Sequence, residues 1–355
     1  MARIFIDSHT GPYSVSFDMD AFEKLNADVP LNTHFMIDKH VAELYAAAIG
    51  NVLDSDSVLL IDAKESSKSL DRMPDYVTHL VENGVRRDHV LIAIGGGIIQ
   101  DITCFLAATL LRGVDWKFYP TTLLAQADSC IGSKSSINAG TAKNILGTFT
   151  PPREVFISTR VLKSLNEIDV RSGVGEILKV HAIDGPDSFT NIAEDYNRLF
   201  EYPDDMLRYI RQALEIKKPY IETDEFDQGP RNIFNYGHSF GHAIEAATDF
   251  QIPHGIGVTI GMDMANYVAG EIGFGDKELH SARHYILKRN FRDFEKYPVP
   301  VDAFLNAISK DKKNVGEDLM LILPDKNARL TKTACANDGR FREVCSSYLE
   351  VARGA

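Results

Sequence analysis

The 355-residue chain has little of what would mark it as secreted, membrane-embedded or a general nucleic-acid binder. Its four cysteines, Cys104, Cys130, Cys335 and Cys345, have no metal-type spacing, and Cys104 lies in an apolar run that suits a small buried hydrophobe. No apolar run reaches the roughly 18 residues of a membrane span. The opening stretch "MARIFIDSHTGPYSVSF" lacks the long apolar core of a signal peptide. A cytoplasmic address is the expectation that follows. Positive charge is also short: Lys and Arg total 38 against 50 Asp and Glu, a net charge of −12. That argues against a nucleic-acid partner and leaves room for an anionic substrate in a local basic pocket. Internal repeats, low-complexity segments and disordered linkers are absent too.

What is present is ordinary globular composition, 44% hydrophobic and 25% charged, in a chain long enough for two domains. In the first half, short apolar runs ("HFMI", "SVLLID", "VLIAI", "WKFYP", "EVFIS") alternate with helix-like stretches such as 38–49 and 71–83. Alternation of this kind predicts a mostly parallel α/β sheet. From about Arg160 helical spacing takes over, at 204–222, 238–247, 258–271 and 277–290, with "DLMLILP" the one strand-like run. The expected fold is therefore a Rossmann-like α/β domain over 1–160 and a mainly helical, metal-binding domain over 161–355, with a site in the cleft between them.

In "VLIAIGGGIIQDITCFLAATLLRG", Gly95, Gly96 and Gly97 stand where a strand turns into a helix N-terminus. Glycine there allows close backbone approach, and the helix start offers unpaired N–H groups to a phosphate. The spacing is not G-x-G-x-x-G, so a tight packed turn is equally compatible. Glu65 and Lys68 in "AKESSKSLD" fall at another strand end. Three further features carry candidate chemistry. "QADSCIGSKSSINAGTAKNILG" reads as a long polar loop bearing Asp128, Lys134, Asn138, Lys143 and Asn144, suited to a phosphorylated or carboxylated ligand. "GVGEILKV" sets Glu176 and Lys179 three apart on one helix face. "RNIFNYGHSFGHAIE" and "IPHGIGVTIGM" supply His238 and His242 at the i, i+4 spacing of a metal pair, His254 or a carboxylate as a third ligand, and Arg231 with Asn235 one turn apart. A dinucleotide site, a divalent metal and clustered cations suit oxidation of an alcohol on an anionic, sugar-like substrate.

In their order, "GGGxxxD", "LRG", "PTTLLAQADS", "GSK", "KNILG", "GxGExxK", "RNxxNxGHxxGH" and "PHGxxVxxGM" make the chain resemble the dehydroquinate synthase family of sugar phosphate cyclases from about Val58 to Pro324. The resemblance implies NAD and Zn²⁺ (or Co²⁺) as cofactors. It implies Glu176, His238 and His254 as metal ligands, which moves His242 from the metal to the transferred phosphate. Cofactor contacts would come from Asp38, Glu65, Lys68, Gly95, Gly96, Gly97, Asp101, Thr121, Thr122, Asp128, Lys134, Lys143 and Asn144. Asp128, Lys134, Lys179, Lys217, Arg231, Asn235 and His242 would form the substrate pocket, with Lys312 or Lys313 near the phosphate. Arg112 would reach the neighbouring subunit's phosphate site, which implies a homodimer. The implied chemistry oxidises a ring alcohol, eliminates phosphate, returns the hydride and closes a carbocycle by an intramolecular aldol step.

Departures from the pattern are Ser133 for a glycine of "GGK", "KS" for "KT", and Gln100 where glycine is common. The segment "SSINAGTAKNILGTFTPP" leans toward cyclases outside the shikimate pathway. Retention of Lys217, Arg231, Asn235 and His242 favours a carboxylated, phosphorylated substrate, and so 3-dehydroquinate synthase activity. The alternatives are a specialised cyclase of the 2-deoxy-scyllo-inosose or valiolone type and an iron-type alcohol dehydrogenase that releases NADH.

Overall fold

Among the described residues, nine strands fall before residue 158: β1 (Arg3–Ile6), β2 (Tyr13–Phe17), β3 (Thr33–Asp38), β4 (Val58–Ile61), β5 (Val90–Gly95), β6 (Asp115–Pro120), β7 (Lys134–Ala139), β8 (Ala142–Phe149) and β9 (Glu154–Ile157). The structure is a computed structural model and describes residues 3–140, 142–311, 314 and 318–354. Seven of the strands form one sheet in the order β1-β2-β9-β6-β5-β3-β4. Only the β1–β2 pair is antiparallel; every other pairing is parallel. The interior strand β5 is covered on both faces, which is why "VLIAI" reads as an unbroken apolar run rather than an alternating one. The mostly parallel α/β class expected from the alternation is the one found.

The chain divides into two compact units, one of residues 1–165 with 217–226, the other of 166–216 with 227–355. The 21-residue helix Pro203–Thr223 thus supplies its last residues, from Lys217 on, to the first unit.

Registry in the first unit aligns the strand ends that matter. Ile37 pairs with Ile94, and Gly95 with Pro120, so Asp38, the glycine turn and Thr121 leave the sheet side by side. Parallel sheets bind ligands at this carboxyl edge. One reading needs correction. The polar stretch after Asp128 is not a loop but the β7–β8 hairpin, irregular between Ile137 and Ala139. Its buried positions include Ser135 and Asn138, whose partners are Thr148 and Glu65. Polar residues buried by hydrogen bonding hide the alternation that would have announced a strand.

The second unit is mainly helical, with one further hairpin of β10 (Asp318–Pro324) and β11 (Leu330–Ala336). The helix His254–Glu271 runs through its core, buried at fifteen positions. It meets the helix Glu167–Asp184 at glycine: a Cβ on Gly175 would lie 2.3 Å from the Gly255 carbonyl, and one on Gly255 would lie 1.9 Å from that of Ser172. It meets the helix His238–Ala247 in the same way, a Cβ on Gly261 falling 2.0 Å from the Gly237 carbonyl. Backbone-to-backbone contact at these crossings sets the start of His254–Glu271 against the middle of Glu167–Asp184, and the start of His238–Ala247 against the middle of His254–Glu271.

Candidate active site

The three helices joined by glycine each deliver one side chain. Glu176, 1% exposed, points its Oε1 to within 3.4 Å of His254 Nε2 and 3.8 Å of His238 Nε2. That oxygen is buried and makes no hydrogen bond. A buried carboxylate oxygen facing two imidazole nitrogens without bonding either is a donor set in want of a cation. Both imidazoles are oriented from behind. His254 Nδ1 lies 2.9 Å from Glu245 Oε1, and His238 Nδ1 lies 3.3 Å from the Tyr236 carbonyl. With Nδ1 of each ring turned to an acceptor, Nε2 is the atom left facing Glu176 and becomes a ligand once it is deprotonated, the outer-shell arrangement of metal-binding histidines. Glu245 was not singled out from the sequence. Its signal lay in the quoted "GHAIE", one turn beyond His242 on the helix that carries His238.

Burial by itself would raise the Glu176 pKa, but the Lys179 ammonium and His254 hold it well below the usual carboxylate range. Lys179 is itself buried, its Nζ 2.5 Å from Glu176 Oε2. At His254, burial works against protonation, yet the Glu176 and Glu245 carboxylates push the pKa up to about 10. The site therefore concentrates negative charge around two nitrogen donors, and a cation that enters displaces a proton from His254. His242 is close as well: one nitrogen each of His238, His242 and His254 lie within 4.8 Å of one another. Unlike Glu176, His242 is exposed. Arg231 is buried one turn before Asn235, whose Nδ2 donates to the Asn232 carbonyl at 3.0 Å.

In the first unit the helix Gly97–Thr109 begins with no side-chain cap. The Gln100 N–H is the first to find a carbonyl within the turn, that of Gly96, so the preceding N–H groups are free for an anion. Two of the three glycines are forced by packing: a Cβ on Gly95 would strike Ile99 at 2.4 Å, and one on Gly96 would reach Thr122 at 2.8 Å. Gly97 faces open space, so no neighbouring atom of the protein demands glycine there. Thr121 N–H donates to the Gly95 carbonyl, and Thr122 Oγ1 accepts from Ala125 N–H, fixing the opposite wall.

Beside this cradle, Lys68 Nζ bonds Asp101 Oδ2 and Asn144 Oδ1, both at 2.8 Å, while Asn138 Nδ2 donates to Glu65 Oε1. Four predicted cofactor residues, Glu65, Lys68, Asp101 and Asn144, thus belong to one polar network. Burial raises the Asp101 pKa, and Lys68 opposes that. Asp38 caps the helix that follows β3 by accepting from the His40 N–H. Lys217 Nζ reaches Asp128 Oδ1 at 2.6 Å and its carbonyl at 2.7 Å. Lys134 and Lys143 are exposed on the hairpin, and Arg112 is exposed in the turn after the glycine-loop helix. Lys312 and Lys313 lie outside the described residues.

Two of the three departures in motif, Ser133 and Gln100, are compensated. Ser133 adopts φ 66°, the left-handed region that glycine enters freely, and its hydroxyl donates to Glu225 Oε1 at 2.5 Å. Gln100 donates to the Ser129 carbonyl and accepts from the Ser129 hydroxyl, both at 2.6 Å.

Comparison with known proteins decides the family. Residues 58–172 match the family described as "3-dehydroquinate synthase N-terminal", and residues 173–314 match "3-dehydroquinate synthase C-terminal". The 3-dehydroquinate synthase of Thermoanaerobacter sp. (strain X514) is 33% identical over 335 residues, 91% of this chain and 94% of the relative. The chain belongs to the 3-dehydroquinate synthase family. The enzyme of that name from Clostridium tetani (strain Massachusetts / E88) is 38% identical over 263 residues, 74% of this chain and 70% of the relative. Among solved structures, a 2-deoxy-scyllo-inosose synthase complexed with carbaglucose-6-phosphate, NAD⁺ and Co²⁺ shares the fold, with a TM-score of 0.85, 24% identity and coverage of 97% of this chain and 99% of that one. The 2-epi-5-epi-valiolone synthase from Streptomyces hygroscopicus subsp. jinggangensis 5008, with NAD⁺ and Zn²⁺ bound, matches with a TM-score of 0.82 and 25% identity over 97% of both chains. An iron-containing alcohol dehydrogenase is more distant, with a TM-score of 0.59 and 15% identity over 96% of this chain and 98% of that one. The family's fold, a parallel α/β unit with a helical unit, is thus the one the sequence led us to expect.

Proposed function

We propose that the protein is an NAD- and divalent-metal-dependent 3-dehydroquinate synthase, a phosphate-eliminating lyase that closes a seven-carbon keto-acid sugar phosphate into a carbocycle. The observation that carries this reading is the Glu176–His238–His254 set, with an unbonded buried carboxylate oxygen and both imidazoles oriented from behind. One carboxylate and two imidazoles with further positions open make a catalytic rather than a structural metal set. When bound, NAD supplies reversible removal and return of a hydride, and the metal polarises a substrate oxygen.

The chain's own residues do the rest. The glycine turn and the uncapped helix start hold the cofactor's phosphates, and the Lys68–Asp101–Asn144 network fixes the neighbouring wall. Lys179 holds Glu176 ionised. Arg231 offers a planar fork to the substrate carboxylate, which a lysine would not match. Lys217, held by Asp128, adds a cation to substrate binding. His242 serves the departing phosphate. We further infer a cytoplasmic homodimer in which the exposed Arg112 completes the partner's phosphate site. No helix among the described residues is long and apolar enough to cross a membrane.

Cyclisation returns the hydride it removes, whereas an alcohol dehydrogenase of related fold releases NADH. With NAD⁺ well below substrate, the expected result is continued phosphate release and no net absorbance of NADH. One NADH accumulated per product would identify a dehydrogenase instead.

A further inference from the structure

A second cluster of potential metal ligands lies in the helical unit, built from residues that play no part in the site above. His280 and His284 stand four apart on the helix Lys277–Phe291, and Asp263 faces them from the helix His254–Glu271. One ligand atom from each can be chosen so that all three lie within 4.8 Å of one another. Asp263 is fully buried, and the two imidazoles are about one-seventh exposed, at 14% and 15%.

The hydrogen bonding of the cluster is incomplete in a directed way. Asp263 Oδ2 is satisfied twice, by the Tyr348 hydroxyl at 2.7 Å and by His284 Nδ1 at 2.8 Å. Asp263 Oδ1, His280 Nε2 and His284 Nε2 are all buried without a hydrogen-bond partner. Oδ1 and His280 Nε2 face each other at 3.4 Å. Two donors each about 2.0–2.1 Å from a tetrahedral zinc are separated by roughly 3.3–3.4 Å. Leaving three such atoms unsatisfied in one buried place would be costly in a protein that used the cluster only for packing.

We propose that Asp263, His280 and His284 form a second divalent-metal site, specific for a zinc-class ion and structural in role. Donation from His284 Nδ1 to Oδ2 fixes that ring's tautomer and leaves a lone pair on Nε2. Tyr348, whose hydroxyl donates to Oδ2, holds the carboxylate so that Oδ1 is turned to the histidines. Tyr348 lies on the helix Gly339–Glu350, so an ion here joins two helices directly and a third through the Tyr348 hydrogen bond. Two imidazoles with one carboxylate suit zinc or a neighbouring first-row ion rather than magnesium or calcium.

Metal stoichiometry tests the proposal independently of the active site. Full-length protein equilibrated with Zn²⁺ and then desalted is expected to carry two ions per chain by mass spectrometry. His284→Gln and His280→Gln should each carry one and keep turnover within twofold of the wild type. His238→Ala, which strips the active-site ion, should still carry one. In crystals grown with Zn²⁺, an anomalous-difference peak between Asp263 and His280 assigns the ion without any substitution. Wild type that holds a single ion, or crystals with no peak at these three residues, would overturn the second site and leave the active-site reading standing.

Discussion

His254 Nδ1 lies 2.9 Å from Glu245 Oε1, so the residue assigned to the metal is held by a carboxylate nine positions earlier in the chain. Outer-shell partners of this kind orient the imidazole and raise its basicity; their loss typically costs about 10–100-fold in metal affinity. Glu245→Ala should therefore lower Zn²⁺ affinity by that factor in a competition assay with a chromophoric chelator. The folded structure should survive. Unchanged affinity would mean that Glu245 only neutralises His254.

Gly97 separates cofactor binding from folding. A methyl group there meets nothing within 4 Å, and the position is helical. Alanine in place of a helical glycine is worth up to about 1 kcal/mol in the protein's favour, less at the first turn. Gly97→Ala should thus melt no lower than the wild type, while NAD⁺ binding measured by calorimetry weakens at least tenfold. Loss of thermal stability with NAD⁺ affinity intact would place the demand for glycine in packing instead.

His181 sets one term of the acid response. Its ring is buried in the helix that carries Glu176, with Nδ1 2.8 Å from Ser188 Oγ, and burial pulls its pKa down to about 4. The unfolded chain takes up this proton near the ordinary histidine value of about 6.5. Between those values the unfolded state binds more protons, so stability falls as pH drops from about 6.5 and the term levels off below about 4. His181→Gln should flatten the urea-unfolding free energy across that window. An unaltered slope would mean that other groups carry the dependence.

The sheet and the long helices were legible because β5 is an unbroken apolar run and apolar residues recur at helical spacing in the helix Pro203–Thr223. The helix His238–Ala247 was read to the residue. The helix expected from Val258 begins at His254, since Pro253 can stand before a helix without needing its own N–H. β2 and β7 were missed because Ser14, Ser16 and Ser135 are buried, and buried serine erases the hydrophobic pattern. At the site, individual histidines and lysines could be picked out by type. What spacing could not supply was which atoms meet. The i, i+4 rule paired His238 with His242, whereas the buried carboxylate of Glu176 faces His238 and His254 across helices joined at Gly175, Gly255 and Gly261. The same rule applied to His280 and His284 would have pointed to the second cluster.

The most direct test of the proposed activity is substrate choice. Arg231 is assigned to the substrate carboxylate, and truncating a hydrogen-bonded partner of a charged group typically costs about 2–5 kcal/mol, roughly 30-fold or more in binding. Metal-loaded protein with NAD⁺ should release phosphate from 3-deoxy-arabino-heptulosonate 7-phosphate and form a carbocyclic product, with little release from glucose 6-phosphate. In Arg231→Ala the KM for the keto-acid should rise by at least that factor. Phosphate release from glucose 6-phosphate or another neutral-ended sugar phosphate, with the keto-acid ignored, would contradict the account and assign the same metal and cofactor sites to a different cyclase.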